Sequence, residues 1–268
     1  MYLKFGIEQY KMSNRLSGYP KIGLLISKIF GITNVGQFAR ANIFKRLITS
    51  LPIQEMNNIL DLGCGQGEYA LMMSRTYPEV AITGLDIEKV RIDKIKKLAA
   101  SIELKNLKTH HGLIDSLDAD GAFDLVYSVD VFEHILEHDM PFNQAYKKLK
   151  PGGHLLVKMP SKKQIIVLPE RWFEDHNQWL DDEHIGQVYE LNDLSERMRK
   201  EGFVVREAFY ADGILSRLAW ELAYLSKKAG PVVQLLALPF LKGMVLLDRL
   251  ILTRNKGNTI QVIAQKPN

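Results

Sequence analysis

The chain has 268 residues, 46% hydrophobic and 25% charged, enough to bury one large core and too apolar for a disordered polypeptide. Lysine and arginine number 35 against 31 aspartates and glutamates, and a formal charge of +4 does not indicate a nucleic-acid binder unless the charge is concentrated in a patch. The single cysteine, Cys64, excludes an internal disulfide, and the first residues lack an apolar core followed by a small-residue cleavage site, so a reducing cytoplasm is the expected location.

In chain order, residues 1–50 precede the main pattern and read as an N-terminal helical cap over a ligand cleft. A helix is expected over 35–50, turning Phe38, Ile43, Phe44, Leu47 and Ile48 toward a core. From about Asn57 to Pro160, short apolar runs alternate with charged amphipathic segments, the pattern of βαβ units in a mostly parallel sheet. Strands are expected at 58–62, 80–86, 107–111, 123–128 and 153–159, with helices at 68–76, 88–101 and 133–149 on both sheet faces. A helix over 192–200 ends at Gly202, Phe203 to Val205 begin a sixth strand, and 259–264 supply a seventh.

Residues 214–253 stand apart as an apolar helical insertion between those last two strands. Ile214, Leu215, Leu218, Ala219, Leu222 and Leu225 recur at helical spacing. Gln234, Pro239, Lys242 and Asp248 interrupt the apolar runs that follow, which fall short of the roughly 18 consecutive residues of a membrane span. No span is expected. The insertion reads instead as extra core, a homodimer interface, or a lid over a hydrophobic or lipid-linked acceptor. As a lid it could rest peripherally on a membrane, with Lys227, Lys228, Lys242, Arg249 and Arg254 toward headgroups.

The chemistry gathers where strands end. Ile59 to Leu62 run into Gly63-Cys64-Gly65-Gln66-Gly67-Glu68, a strand whose Asp61 reaches a crevice and whose glycines let the backbone pass close under a ligand. The spacing is G-x-G-x-G, whereas the dinucleotide fingerprint has its third glycine one position later. The next strand ends in Asp86, whose carboxylate can accept two hydroxyl donors from a ribose or, alternatively, cap the following helix. Then come His110-His111-Gly112-Leu113-Ile114-Asp115-Ser116-Leu117, Phe123 to His134, and Leu149-Lys150-Pro151-Gly152-Gly153.

Four segments in this order resemble the motifs of class I S-adenosylmethionine-dependent methyltransferases, of the small-molecule and quinone-acting kind, over about 57–160. The resemblance implies a Rossmann-like, doubly wound α/β fold whose seven-stranded sheet is mostly parallel with a last antiparallel strand. It implies a cofactor-binding domain at 51–213 and 254–268, S-adenosyl-L-methionine as methyl donor, and S-adenosyl-L-homocysteine as product. Its cofactor set maps to Asp61, Gly63, Cys64, Gly65, Gly67, Asp86, Ile87, Leu113, Ile114, Ser128 and Val129. Leu113 stands where the family usually has an acid, which leaves backbone and apolar contacts for the adenine ring. Cys64 reads as packing rather than as a reactive thiol.

Asp130, Glu133 and His134 fall at i, i+3 and i+4, one face of a helix if a helix starts there. Three readings stay open: a Glu133–His134 pair shaping the pocket floor, His134 as general base with Asp130 as second candidate, or a divalent-ion site made by the trio. No resident metal is expected, and the trio is the alternative. Glu133, His176 and His184 are candidate substrate contacts, His176 from among Trp172, Phe173 and Trp179, and His184 after Asp181-Asp182-Glu183. The expected activity is methyl transfer to an oxygen or nitrogen of a small or lipid-linked acceptor, with no nucleic-acid partner. A nicotinamide-dependent oxidoreductase, an RNA methyltransferase and a non-catalytic module that keeps the fold are the competing classes.

Overall fold

The computed structural model describes residues 20–175, 186, 188–250 and 255–268. Seven strands form one sheet: β1 (Asn58–Leu62), β2 (Ala81–Asp86), β3 (Leu107–His111), β4 (Phe123–Val129), β5 (Leu149–Pro160), β6 (Val204–Ala211) and β7 (Thr259–Gln265). Their order is β3-β2-β1-β4-β5-β7-β6, with β1, β2, β3, β4 and β5 parallel. β7 is antiparallel: Gly152 donates to Lys266 O while Ser161, nine residues on, donates to Asn258 O. The chain leaves β1 toward β2 and β3, then returns to β4 on the opposite side. The strand order therefore reverses between β1 and β4, where open α/β sheets place their ligand crevice.

Among the described residues the α-helices are α1 (Pro20–Phe30), α2 (Val35–Thr49), α3 (Glu68–Thr76), α4 (Lys89–Ser101), α5 (Phe142–Lys148), α6 (Leu191–Lys200), α7 (Ile214–Ala229) and α8 (Pro231–Asp248). Contacts divide the chain into two compact units. One comprises 49–160, 184–209 and 260–268 and holds most of the sheet. The middles of its central strands β1, β4 and β5 are apolar because both faces are covered there: Ile59, Leu60, Leu125, Val126, Leu155 and Leu156 are fully buried. The other unit comprises 1–48, 161–183 and 210–259. Its core joins Val35 and Ala39 of α2, Ala219 of α7, and Leu238, Leu241, Met244 and Val245 of α8.

Three expectations are corrected. The helix expected over 133–149 is two short 3-10 turns, Phe132–His134 and Glu137–Asp139, and only then α5. The segment lacks a sustained 3.6-residue apolar period, and Pro141, unable to donate an amide, sits at the start of α5. β5 begins at Leu149, not 153, because its pairing with β4 jumps from Phe123↔Leu149 to Leu125↔His154 and bulges the Lys150-Pro151-Gly152-Gly153 stretch. Finally, α8 runs unbroken through Gln234, Pro239 and Lys242. An internal proline costs a helix one hydrogen bond and a ring–carbonyl clash, yet α8 continues past Pro239, and its 18 residues are long and apolar enough to cross a membrane by length and composition.

Candidate active site

Gly63, Gly65 and Gly67 of the turn after β1 all take a positive φ, but their surroundings differ. Gly63 and Cys64 both donate to Leu85 O, at 2.9 Å, which pins the turn across the end of β2. A Cβ on Gly63 would lie 2.6 Å from both methyls of Val131, and one on Gly67 would lie 2.6 Å from Ile95 of α4. Around Gly65, by contrast, a Cβ would meet no atom within 4 Å, although its φ of +52° is in the left-handed region. That open side is where a ligand can approach the backbone. α3 starts directly after the turn, with Gly67 at its N-cap, and the Ala70 amide in its first turn donates to the Asp61 carboxylate.

Asp61 is 2% exposed, and its Oδ2 has no hydrogen-bond partner among the described residues. Burial, and secondarily the charge of Asp86, push its carboxyl up to about 8, although the Tyr127 hydroxyl and the Ala70 amide pull the other way. Burial also raises the Tyr127 hydroxyl, and it raises the Cys64 thiol together with the two carboxylates. Cys64 Sγ packs against Gly84, so this cysteine offers the crevice its backbone and not a thiolate.

Asp86 is buried at the tip of β2 and accepts the Gly65 amide at 2.8 Å on one oxygen and the Glu88 amide at 2.9 Å on the other. Each oxygen keeps a further lone pair for a hydroxyl donor. Gly112 donates to Asp86 O, which brings the turn after β3 beside the tip of β2. Ile87 (65%) and Leu113 (66%) are exposed there, two apolar side chains on neighbouring strand ends suited to a flat ring. Ile114 is buried in the core instead. Ser128, also fully buried, spends its hydroxyl on Leu62 O at 3.0 Å, leaving its backbone and half-buried Val129 to line the end of β4.

The Asp130, Glu133 and His134 trio does not share a helical face. Asp130 adopts φ +53°, its amide donates to Lys158 O, and its Oδ1 accepts Lys158 Nζ at 2.6 Å. Glu133 is buried and its carbonyl accepts the Gly186 amide, whereas His134 is exposed. The positive φ turns the chain before the 3-10 turn, so the spacing counted along an α-helix does not apply. Among the described residues no group of three or more His, Cys, Asp or Glu could hold a metal ion. His176 and His184 lie outside the described residues.

Sequence reasoning missed two residues. Val131 packs into the space that Gly63 leaves, a contact no linear pattern reveals. Lys158, 3% exposed, had a signal: a lysine inside the run Leu155 to Met159 of a strand buried on both faces must have a partner. Gly186 and Tyr189 are held in place as well. A Cβ on Gly186 would lie 2.4 Å from Ile135 O, and buried Tyr189 donates its hydroxyl to Glu137, which also meets Arg197 at 3.5 Å.

A sequence profile described as a methyltransferase domain matches residues 36–208. Trans-aconitate 2-methyltransferase of Deinococcus radiodurans is 30% identical over 123 residues, which are 46% of this chain and 45% of that enzyme. The match thus spans less than half of the curated relative. Phosphoethanolamine N-methyltransferase 2 of Haemonchus contortus, solved with S-adenosyl-L-methionine, superposes with a TM-score of 0.60 at 21% identity over 98% of this chain and 60% of that one. A SAM-dependent methyltransferase from Aquifex aeolicus superposes with a TM-score of 0.55 at 13% identity, over 90% and 96%.

Proposed function

This chain belongs to the class I S-adenosylmethionine-dependent methyltransferase family, and from that premise we propose that it methylates an oxygen or nitrogen of a small, hydrophobic or lipid-linked acceptor. The observation that carries the cofactor half is Asp61: a buried carboxylate with an unpartnered oxygen suits a ligand that brings a cation. In this reading Asp61 answers the ammonium of the donor, Asp86 accepts the ribose hydroxyls, and Ile87 and Leu113 flank the adenine. Gly63, Gly65 and Gly67 shape the turn, Gly65 on its open side. Cys64, Ser128 and Val129 contribute backbone to the crevice, and Ile114 supports it from below.

The bound donor supplies an activated methyl on a sulfonium. Displacement there loses charge on sulfur, so the protein gains most by orienting the partners and excluding water, worth on the order of 7–11 kcal/mol in favourable cases. His134 is the proposed base for an acceptor that must lose a proton, its exposed imidazole being free of the burial that surrounds Glu133. Asp130 is a weaker candidate, since Lys158 engages its Oδ1. Its proposed part is to hold the end of β4 in shape.

The acceptor is tested by incubating the protein with methyl-labelled donor and cell extract, then partitioning the products. Label in the organic phase supports a hydrophobic or lipid-linked acceptor, and label confined to the aqueous phase overturns it. His134→Ala should preserve S-adenosylhomocysteine affinity while lowering turnover about 100-fold or more, within the range of general-base effects. Unchanged turnover would remove His134 from that role.

A further inference from the structure

We propose that the unit built on α1, α2, α7 and α8 docks in the plane of an anionic lipid surface. α8 is apolar on two sides. Leu238, Leu241, Met244 and Val245 face the unit's core, while Val232, Leu236 and Phe240, spaced by four residues, line an outward stripe that Leu247 and Leu250 extend. Leu236 is 78% and Phe240 68% exposed, which an ordinary surface helix has no reason to show. α1 presents a second stripe, Ile22, Leu25 and Ile29, each more than half exposed. Lys242 joins the two helices by donating from α8 to Phe30 O at the end of α1, with its Nζ 4.8 Å over the Phe38 ring.

Charge identifies the occupant. The four helices carry nine basic residues, two in α1, three in α2, three in α7 and one in α8, against the carboxylates Glu221 and Asp248. Both acids are committed inside the unit. Glu221 is fully buried and accepts the Val167 and Leu168 amides and Arg217, and Asp248 accepts the amides of Gly213 and Leu215. The rest of the chain then holds 26 basic against 29 acidic residues, so the whole positive excess resides in these helices. Exposed Lys21 and Lys28 lie on the same helix as the α1 stripe, and exposed Lys227 ends α7, where Lys228 meets Asp175 at 3.3 Å; none of the four helices carries an exposed carboxylate.

This combination matches a lipid surface, which takes aliphatic side chains into its acyl boundary and lysines among its phosphates. A two-fold pairing of copies would set the same basic fringe against itself, with nothing on these helices to answer it. Nucleic acid would gain nothing from exposed leucine and isoleucine. The inner face of α8 is already packed against α2 and α7, which favours a helix lying along the surface over one crossing it.

Co-sedimentation with vesicles tests the proposal, using phosphatidylcholine alone and mixtures with about one phosphatidylglycerol in three lipids. The wild-type chain should bind the anionic vesicles at least about tenfold more tightly and be released by salt. Leu236→Asp with Phe240→Asp, and separately Lys21→Glu with Lys28→Glu, should each weaken binding about tenfold or more, leaving S-adenosylhomocysteine affinity and melting temperature unchanged. Equal partition onto both vesicles, full binding by either variant, or retention that resists salt and alkaline carbonate would overturn it. So would a dimer in light scattering that Leu236→Asp with Phe240→Asp dissolves.

Discussion

A carboxylate that is 2% exposed, with one oxygen lacking a partner, is stable only when neutral or answered by a cation, and both states have measurable consequences at Asp61. Its folded value of about 8 lies above the ordinary 3.8, so the folded chain keeps a proton that the unfolded chain has already lost. Stability of the ligand-free protein therefore falls as pH rises from about 4 to about 8, because the unfolded state binds fewer protons across that window. Thermal melts should show this decline in the wild type, flattened in Asp61→Asn, and an equal slope in both would contradict the burial argument. The Lys158–Asp130 pair obeys the opposite logic. Lys158→Met strands a charge beside a buried strand end and should cost about 3 kcal/mol or more in denaturant unfolding, part of which Asp130→Asn in the same chain restores.

At the scale of elements, the turn from β1 into α3 separates ligand space from packing space. Gly67→Ala forces a Cβ against Ile95 and should lower the melting temperature more than Gly65→Ala, which meets only the strain of a left-handed backbone, about 1 kcal/mol. Cofactor affinity should fall more for Gly65→Ala than for a comparable strained alanine at Gly121, a remote turn with equal space around it. This turn was legible in the sequence because glycine spacing and an apolar strand are local signals. The strands through Val129 were legible for the same reason, their apolar runs being bounded by turns. The stretch from Asp130 to Met140 was not, since a non-glycine residue at φ +53° and two 3-10 turns leave no periodic trace. The partners of Asp130 and Gly63, Lys158 and Val131, come from tertiary packing and were beyond a linear reading.

At the scale of the whole molecule, the +4 charge concealed its own distribution. Averaged over the chain it points nowhere, and only the division into two units shows four helices with nine basic residues and no exposed acid. α8 reads as broken in sequence and yet is one helix, with one side in the unit's core and the other exposed. The claim on which the cofactor reading rests is that a cationic donor answers Asp61, and calorimetry of S-adenosylhomocysteine binding tests it on the intact protein. At about pH 7, in two buffers of different ionisation enthalpy, the wild type should release close to one proton on binding. Asp61→Asn should release none and bind at least about tenfold more weakly. Equal affinity for the two proteins, or a wild type that binds without proton release, would contradict it.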